Sequence, residues 1–342
     1  MNVGIVGLGK MGLLHAGILN SIPDVKIKAV TEKESLIANY VRDSMPSVNV
    51  YDDYLNMIKS EELNLIYITT PISSHFPIAQ DCIENKINFF IEKPLTKNLE
   101  ESKKLCKKLK GTDLVHSVGY NRRFIDTFSE VKSLLDSKIL GDISRIKSSM
   151  YVSNIFSKSK GWRSRKEVSG GGVLLDFGSH LVDLLLWYFG NIERVSGNIK
   201  SVYSNEVEDS AHMEMEFSNN IRGELDTSWS IRGYRIPEIN LEIIGNNGSI
   251  KVNEDFIKID LKKPDPQLTN SNTTIYKQSL NKGVIIDVGG PDYTKEDLHM
   301  IDCVKNKQQS MVNVFEASKT QSVIESMYDA AKGGTKKVEY FD

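Results

Sequence analysis

Asp176, His180 and Asp183 set a carboxylate, an imidazole and a second carboxylate at spacings of four and three residues. On a helix beginning near Asp176, those spacings put all three on one side. Such a face can take a proton from a hydroxyl and return it, because an unperturbed histidine titrates near ~6.5. Three glycines lead into it, in the stretch GGGVLLDFGSHLVD at 170–183, which suits backbone kept thin beside a pocket. Packed or solvated helices show the same spacing, so the rest of the chain must say what the face acts on.

A cation is available at Lys93. Glu92-Lys93-Pro94 follows the apolar run 88–91, which reads as a buried strand. An ammonium at the carboxyl end of such a strand can reach a reacting oxygen and stabilise it as an alkoxide. Further basic groups, Trp162-flanked Arg163, Arg165 and Lys166, stand in the polar segment 153–169 just before the glycines. Of these, Arg163 is expected to face a pocket and hold an anionic group of a substrate, the others being solvated.

The elements that would position these groups begin at the first residues. Residues 2–6 form a short apolar strand, followed at once by Gly7-Leu8-Gly9-Lys10-Met11-Gly12 and a helical pattern to about Asn20. A strand, GxGxxG and a helix are the parts of a dinucleotide site. Gly7 makes the tight turn, Gly9 admits the pyrophosphate, Gly12 lets helix and strand pack, and the helix N-terminus favours the anion. The next strand, 25–31, ends at Glu32, where a carboxylate can bond the adenosine ribose and repel a 2′-phosphate. NAD is therefore expected over NADP. The alternative role for Glu32 is to cap a helix over 33–43.

Alternation of helix and strand continues through a helix at 52–60, a strand at 65–69, a helix at 76–84 that Ser73 can cap, and the strand at 88–91. This rhythm predicts a doubly wound parallel sheet. Thr69-Thr70-Pro71 ends one strand where the cofactor would lie, and His75 follows nearby. The helix at 98–110 is rich in lysine and reads as a solvated face. A strand at 114–119 closes the pattern, giving a first domain over 1–121 and a second over 122–342. In the second, a helix at 124–136 and a strand at 142–152 precede the glycines. Strict alternation at 211–217 and 239–243, with a hairpin turn at 245–248, predicts half-buried antiparallel strands. Segment 264–274 reads as a loop, and two helices, 293–305 and 317–332, end the chain; His299 on the first is a spare pocket candidate.

Composition sets outer limits. Lys plus Arg number 43 and Asp plus Glu 45, a net charge of −2, so no global field favours nucleic acid or an anionic membrane. No continuous apolar run reaches the eighteen residues or more of a bilayer span, and no leader-like segment opens the sequence. Three scattered cysteines, Cys82, Cys106 and Cys303, fit reduced thiols in the cytoplasm better than disulfides or a metal site, and no metal is expected.

Taken together, GLGKMG, the TTP at 69–71, His75, the EKP at 92–94, GYNRRF at 119–124, Gly161-Trp162-Arg163 and the D-x-G-x-H-x-x-D pattern resemble the glucose-fructose oxidoreductase and inositol dehydrogenase family, Gfo/Idh/MocA. The resemblance covers essentially the whole chain. It implies an N-terminal Rossmann domain and a C-terminal α+β domain on a large open, mostly antiparallel sheet, with the active site between them. Carried onto matching positions, it implies cofactor contacts from Gly7, Gly9, Lys10, Met11, Gly12, Glu32, Thr69, Thr70, Pro71, His75, Glu92, Lys93 and Asn121. Lys93, Asp176 and His180 become the catalytic groups, with Arg163 and Asp183 at the substrate. Ile72 stands where many members have an asparagine, which removes one polar cofactor contact.

The expected reaction is NAD-dependent oxidation of a secondary hydroxyl on a sugar, polyol or sugar derivative, or its reverse. A homodimer or homotetramer through the open sheet is expected, since a broad sheet face should not be left in water. Two other classes remain on the same scaffold: a non-catalytic dinucleotide-sensing regulator, against which the presence of both Lys93 and His180 argues, and an NADP-dependent reductase or lyase.

Overall fold

Short runs of continuous apolar residues build the first sheet. The computed structural model, which describes residues 1–157, 165–264, 268 and 270–341, contains β1 (Asn2–Val6), β2 (Lys26–Thr31), β3 (Asn49–Tyr51), β4 (Leu65–Ile68), β5 (Asn88–Ile91) and β6 (His116–Val118). They pair in parallel in the order β3-β2-β1-β4-β5-β6. All four residues of β4 and the last three of β5 are fully buried, as strands covered on both faces must be. The order reverses between β1 and β4, the crevice where doubly wound sheets bind ligands. β3, only three residues long at the sheet edge, has too little apolar pattern to be read from sequence.

The helices of this sheet start at identifiable caps. Asp53 accepts from the Leu55 N–H (2.6 Å) ahead of the helix Tyr54–Ser60, and Asn98 accepts from the Glu101 N–H (3.0 Å) ahead of Leu99–Leu109. Ser73 does not cap. Ile72–Ser74 is a 3₁₀ turn, and the helix His75–Glu84 follows Ser74, whose side chain makes no cap bond. Glu32 is also not a cap, because its helix runs Ser35–Ser44 behind Glu34.

The chain divides into two units, 1–121 with 283–318, and 122–282 with 319–341. The helix Pro291–Asn306, read from the sequence with the second domain, packs in the first unit. There Met300, Ile301 and Cys303 join Ile5, Leu8 and Ile18 in one buried cluster. Helical periodicity shows which face is apolar but not which sheet that face covers.

The second unit holds β7 (Ile143–Tyr151), β8 (Ile192–Lys200), β9 (Ser210–Phe217), β10 (Arg222–Ser228), β11 (Glu238–Gly245), β12 (Gly248–Val252), β13 (Phe256–Leu261), β14 (Asn272–Tyr276) and β15 (Lys336–Lys337). Their order is β14-β13-β12-β11-β7-β10-β9-β8-β15, and all neighbours are antiparallel except β7 and β10. In β9, Ala211, Met213, Met215 and Phe217 are buried, while Glu214 and Glu216 face solvent. Part of the expected loop at 264–274 is strand, in β14; residues 265–267 and 269 lie outside the described residues. By length and composition Lys166–Phe189 could cross a membrane, but 83% of that window is buried in the protein. Its apolarity therefore serves the core.

The outward face of this sheet is charged. Arg145 pairs with Glu224 and His212 with Asp226 (2.8 Å) across strands, and Lys147, Glu214, Glu216 and Arg222 are exposed on the same face. Period-two alternation leaves this face polar, so the expectation that a second subunit covers it rests on the breadth of the sheet and not on apolar surface.

Candidate active site

In the first unit the glycine turn is shaped for a ligand. Gly7 has φ +91°, open to glycine but not to other residues without strain, and its N–H donates to the Thr31 carbonyl (2.8 Å). A Cβ on Gly12 would lie 2.0 Å from the Gly7 carbonyl oxygen, whereas a Cβ on Gly9 would meet nothing within 4 Å. Gly12 is thus closed by packing and Gly9 is open. The helix Lys10–Leu19 starts here with no acidic residue in its first turn, leaving Lys10 exposed and Met11 half-buried. The Thr70 hydroxyl oxygen, beside Gly7, is buried and has no hydrogen-bond partner among the described residues. An open Gly9 and an orphaned buried hydroxyl fit an incoming polar group such as the pyrophosphate of a dinucleotide.

The other expected cofactor residues surround that turn. Thr69 Oγ1 donates to the Gly7 carbonyl (2.6 Å), and Pro71 heads the 3₁₀ turn. Glu32 sits at the end of β2 with one carboxylate oxygen accepting from the Leu8 N–H (2.6 Å) and the other from the Glu34 N–H (2.8 Å). Two amide donors fix the direction of this carboxylate at the end of the strand. His75 is buried; its Nδ1 lies 3.0 Å from the Pro94 carbonyl oxygen and its Nε2 2.9 Å from that of Thr70. Burial holds its pKa below the ordinary value, against the pull of those carbonyls. A neutral ring donates to only one of those carbonyl oxygens, so His75 is packed between the Thr70 and Pro94 carbonyls rather than lying open in a surface helix. Asn121 donates to Asp292 and is likewise buried.

Beneath the Lys93 turn lies a cluster that sequence reasoning missed. His15, fully buried, has Nε2 3.0 Å from Glu92 Oε1 and Nδ1 2.8 Å from Asp297 Oδ1. The second Glu92 oxygen accepts from the Lys93 N–H (3.1 Å). Burial disfavours a charge on His15, but the Asp297 and Glu92 carboxylates outweigh it and raise its pKa well above the ordinary value. Burial likewise pushes the Asp297 carboxyl up while the facing ring pulls it down; the ring, flanked by two carboxylates, is the better home for their proton. Glu296 is buried with neither oxygen hydrogen-bonded among the described residues. Burial, and then the neighbouring Glu92, push its carboxyl well above the usual range.

In the second unit, Asp176 and His180 ride on one continuous helical stretch. Leu174–Gly178 is a π turn and Ser179–Phe189 an α-helix, so the helical segment begins before Asp176. π turns are rare and concentrate at functional sites. Asp176 is half-buried and His180 is 5% exposed. Glu208 holds the start of this stretch: one of its oxygens accepts from the N–H groups of Gly172 and Leu174 (3.0 Å each) and from the Tyr328 hydroxyl (2.8 Å). The glycines have the same cause. A Cβ on Gly171 would come 2.2 Å from the Tyr328 hydroxyl, and one on Gly172 would come 1.9 Å from the Glu208 carbonyl oxygen. They are thin for packing inside this unit.

Asp183, expected at the substrate, is fully buried and held by Arg123 through two bonds, Nε to Oδ2 (2.8 Å) and Nη2 to Oδ1 (2.7 Å). The guanidinium also lies over the Trp187 ring, 5.5 Å from its centroid. Arg163 lies outside the described residues. No group of three or more His, Cys, Asp or Glu among the described residues could hold a metal ion.

Residues 1–120 match the oxidoreductase family with an NAD-binding Rossmann fold, and residues 128–251 match the GFO/IDH/MocA C-terminal domain. Over 331 residues the chain is 27% identical to a scyllo-inositol 2-dehydrogenase (NAD(+)) of Bacillus subtilis, covering 92% of this chain and 89% of that one. It is 23% identical over 258 residues to a myo-inositol 2-dehydrogenase of Thermotoga maritima, covering 73% and 74% of the two chains. A solved levoglucosan dehydrogenase, in complex with NADH and levoglucosan, shares the fold with a TM-score of 0.89 at 19% identity, over 100% of both chains. With a GxGxxG turn in one unit, the expected acid and histidine in the other, and family matches spanning both, the chain belongs to the Gfo/Idh/MocA family of oxidoreductases.

Proposed function

We propose that the protein oxidises a secondary hydroxyl of a polyol, sugar or sugar derivative to a ketone with NAD, or runs the reverse reaction. The observation that carries this reading is a nearly buried histidine, His180, directly after a π turn that holds a half-buried carboxylate four residues earlier. The inositol dehydrogenases among the relatives support the substrate class. When bound, NAD supplies the hydride acceptor. His180 takes the hydroxyl proton, Asp176 orients its ring, and Lys93 stabilises negative charge developing on the oxygen. Gly7, Gly9, Gly12, Lys10, Met11, Thr69 and Thr70 hold the dinucleotide, and Glu32 selects against a 2′-phosphate. Asp183, bound to Arg123, fixes the helix that carries His180.

Free, unpaired Cys82, Cys106 and Cys303 support a cytoplasmic location. The test of function is an NAD-coupled screen over inositols, anhydrosugars, free sugars, sugar phosphates and nucleotide sugars, read as NADH absorbance. At least one class should reduce NAD in clear preference to NADP, and His180→Ala should lower its turnover by about 10²- to 10⁴-fold with NADH binding retained. A screen with no turnover, or a His180→Ala variant as active as the parent, sinks the reading.

A further inference from the structure

We propose that His15 is a positioning residue: as an imidazolium held between Asp297 and Glu92, it fastens the Glu92–Lys93 turn to the helix that begins at the glycine turn. The inference rests on Lys93 acting in the reaction. The geometry is a continuous chain within the first unit. Asp297, on the helix Pro291–Asn306, meets His15 Nδ1 with both oxygens (2.8 and 3.0 Å). His15, on the helix Lys10–Leu19, meets Glu92 through Nε2 (3.0 Å), and the other Glu92 oxygen receives the Lys93 N–H (3.1 Å).

A neutral imidazole has one donor and one acceptor nitrogen, so with carboxylate oxygens at both nitrogens it would set one lone pair against another. An imidazolium donates to both. Rings close around it: Phe90 at 5.0 Å, Tyr67 at 5.3 Å and Tyr293 at 6.4 Å between centroids. The charged and titratable groups facing it are Glu92 from the end of β5, Asp297, Glu296 and Tyr293 from the helix Pro291–Asn306, and Tyr67 from β4.

Stability alone does not call for such an array. Replacing a buried ion pair with well-packed apolar side chains is often neutral, or stabilising by about 1–4 kcal/mol. What the array does supply is a fixed direction: Glu92 cannot turn without leaving His15, and the backbone of Lys93 is bonded to Glu92. His15 makes no contact with the open space at Gly9, so its loss should loosen the lysine more than the dinucleotide site.

The test uses the full chain, NADH as binding probe and a polyol oxidised in the screen as substrate. Ring ¹⁵N spectra should show His15 protonated on both nitrogens at about pH 8, above the ordinary histidine range near ~6.5. Glu92→Gln, which keeps shape and removes charge, should lower the pH at which that signal titrates. His15→Gln should reduce kcat by about tenfold, on the order of 1.4 kcal/mol of barrier, with KM and NADH affinity nearly unchanged. In a Lys93→Ala background, the same change should cost nothing further. A neutral His15 ring at that pH, a titration unmoved by Glu92→Gln, a kcat within about twofold of the parent, or an equal further loss beside Lys93→Ala each overturns the proposal. Full turnover in Lys93→Ala alone would instead remove the lysine's role, and with it the link to catalysis, while the ring spectra test the bridge independently.

Discussion

Within one six-residue turn, Gly9 borders open space and Gly12 touches the Gly7 carbonyl oxygen. Substitution should separate these roles. Gly9→Val should leave thermal stability close to the parent and abolish NADH binding by calorimetry; intact binding would contradict the assigned cradle. Gly12→Ala should destabilise by about 1–3 kcal/mol through overpacking. Glu296 offers a pH test. Its carboxyl is raised in the folded protein, so its contribution to stability is fully present below the unfolded-state value near ~4.3 and is lost as pH rises through the folded value. Glu296→Gln removes that loss. Its melting temperature should exceed the parent's at pH 8, a gain of about 1 kcal/mol reading as ~1–2 °C, and the gap should close toward pH 4; a constant gap would point to packing. The glycine motif was legible because its spacing is local. His15 was not: its partners are 77 and 282 residues away in sequence, and a lone histidine in an apolar helix carries no mark of them.

The element that carries His180 is fastened at its start by Glu208 and along its length by Asp183 with Arg123. Asp183→Asn leaves a buried guanidinium without its countercharge and should cost about 3–5 kcal/mol in denaturant unfolding. A variant as stable as the parent would free Asp183 for the role at the substrate that the family resemblance implies. Spacing did place Asp176, His180 and Asp183 on one helical stretch. It could not show the π turn, which depends on i→i+5 backbone bonding, nor that Asp183 already has a cation, because Arg123 is 60 residues upstream. Gly171 and Gly172 were legible as a thin backbone but not in their cause, since Tyr328 and Glu208 come from distant segments.

At the scale of the molecule, both sheets were foreshadowed, the first by continuous apolar strands and the second by alternation in β9 and β11. The edge strands β3, β14 and β15 were not, being short or half-exposed. The charged face of the second sheet changes the expected basis of self-association. We propose that two copies pair there through alternating rows that include Arg145, Glu224, Glu214 and Arg222, a contact that salt should weaken. Light scattering should then report a dimer or tetramer at low ionic strength and a smaller species at about 1 M salt, where screening is nearly complete beyond ~3 Å. A monomer at every ionic strength would exclude it.

The first unit is interrupted in sequence: its strands end by Val118, yet the helix that buries Met300 and brings Asp297 to His15 follows residues 122–282. During synthesis at about 5–20 residues per second, the ribosome must therefore make residues 122–282 before the helix that completes the first unit exists. Until then, Ile5, Leu8 and Ile18 lack part of their cover and His15 lacks Asp297. The nascent N-terminal segment thus waits for its last helix, and the length of residues 122–282 sets the time it waits.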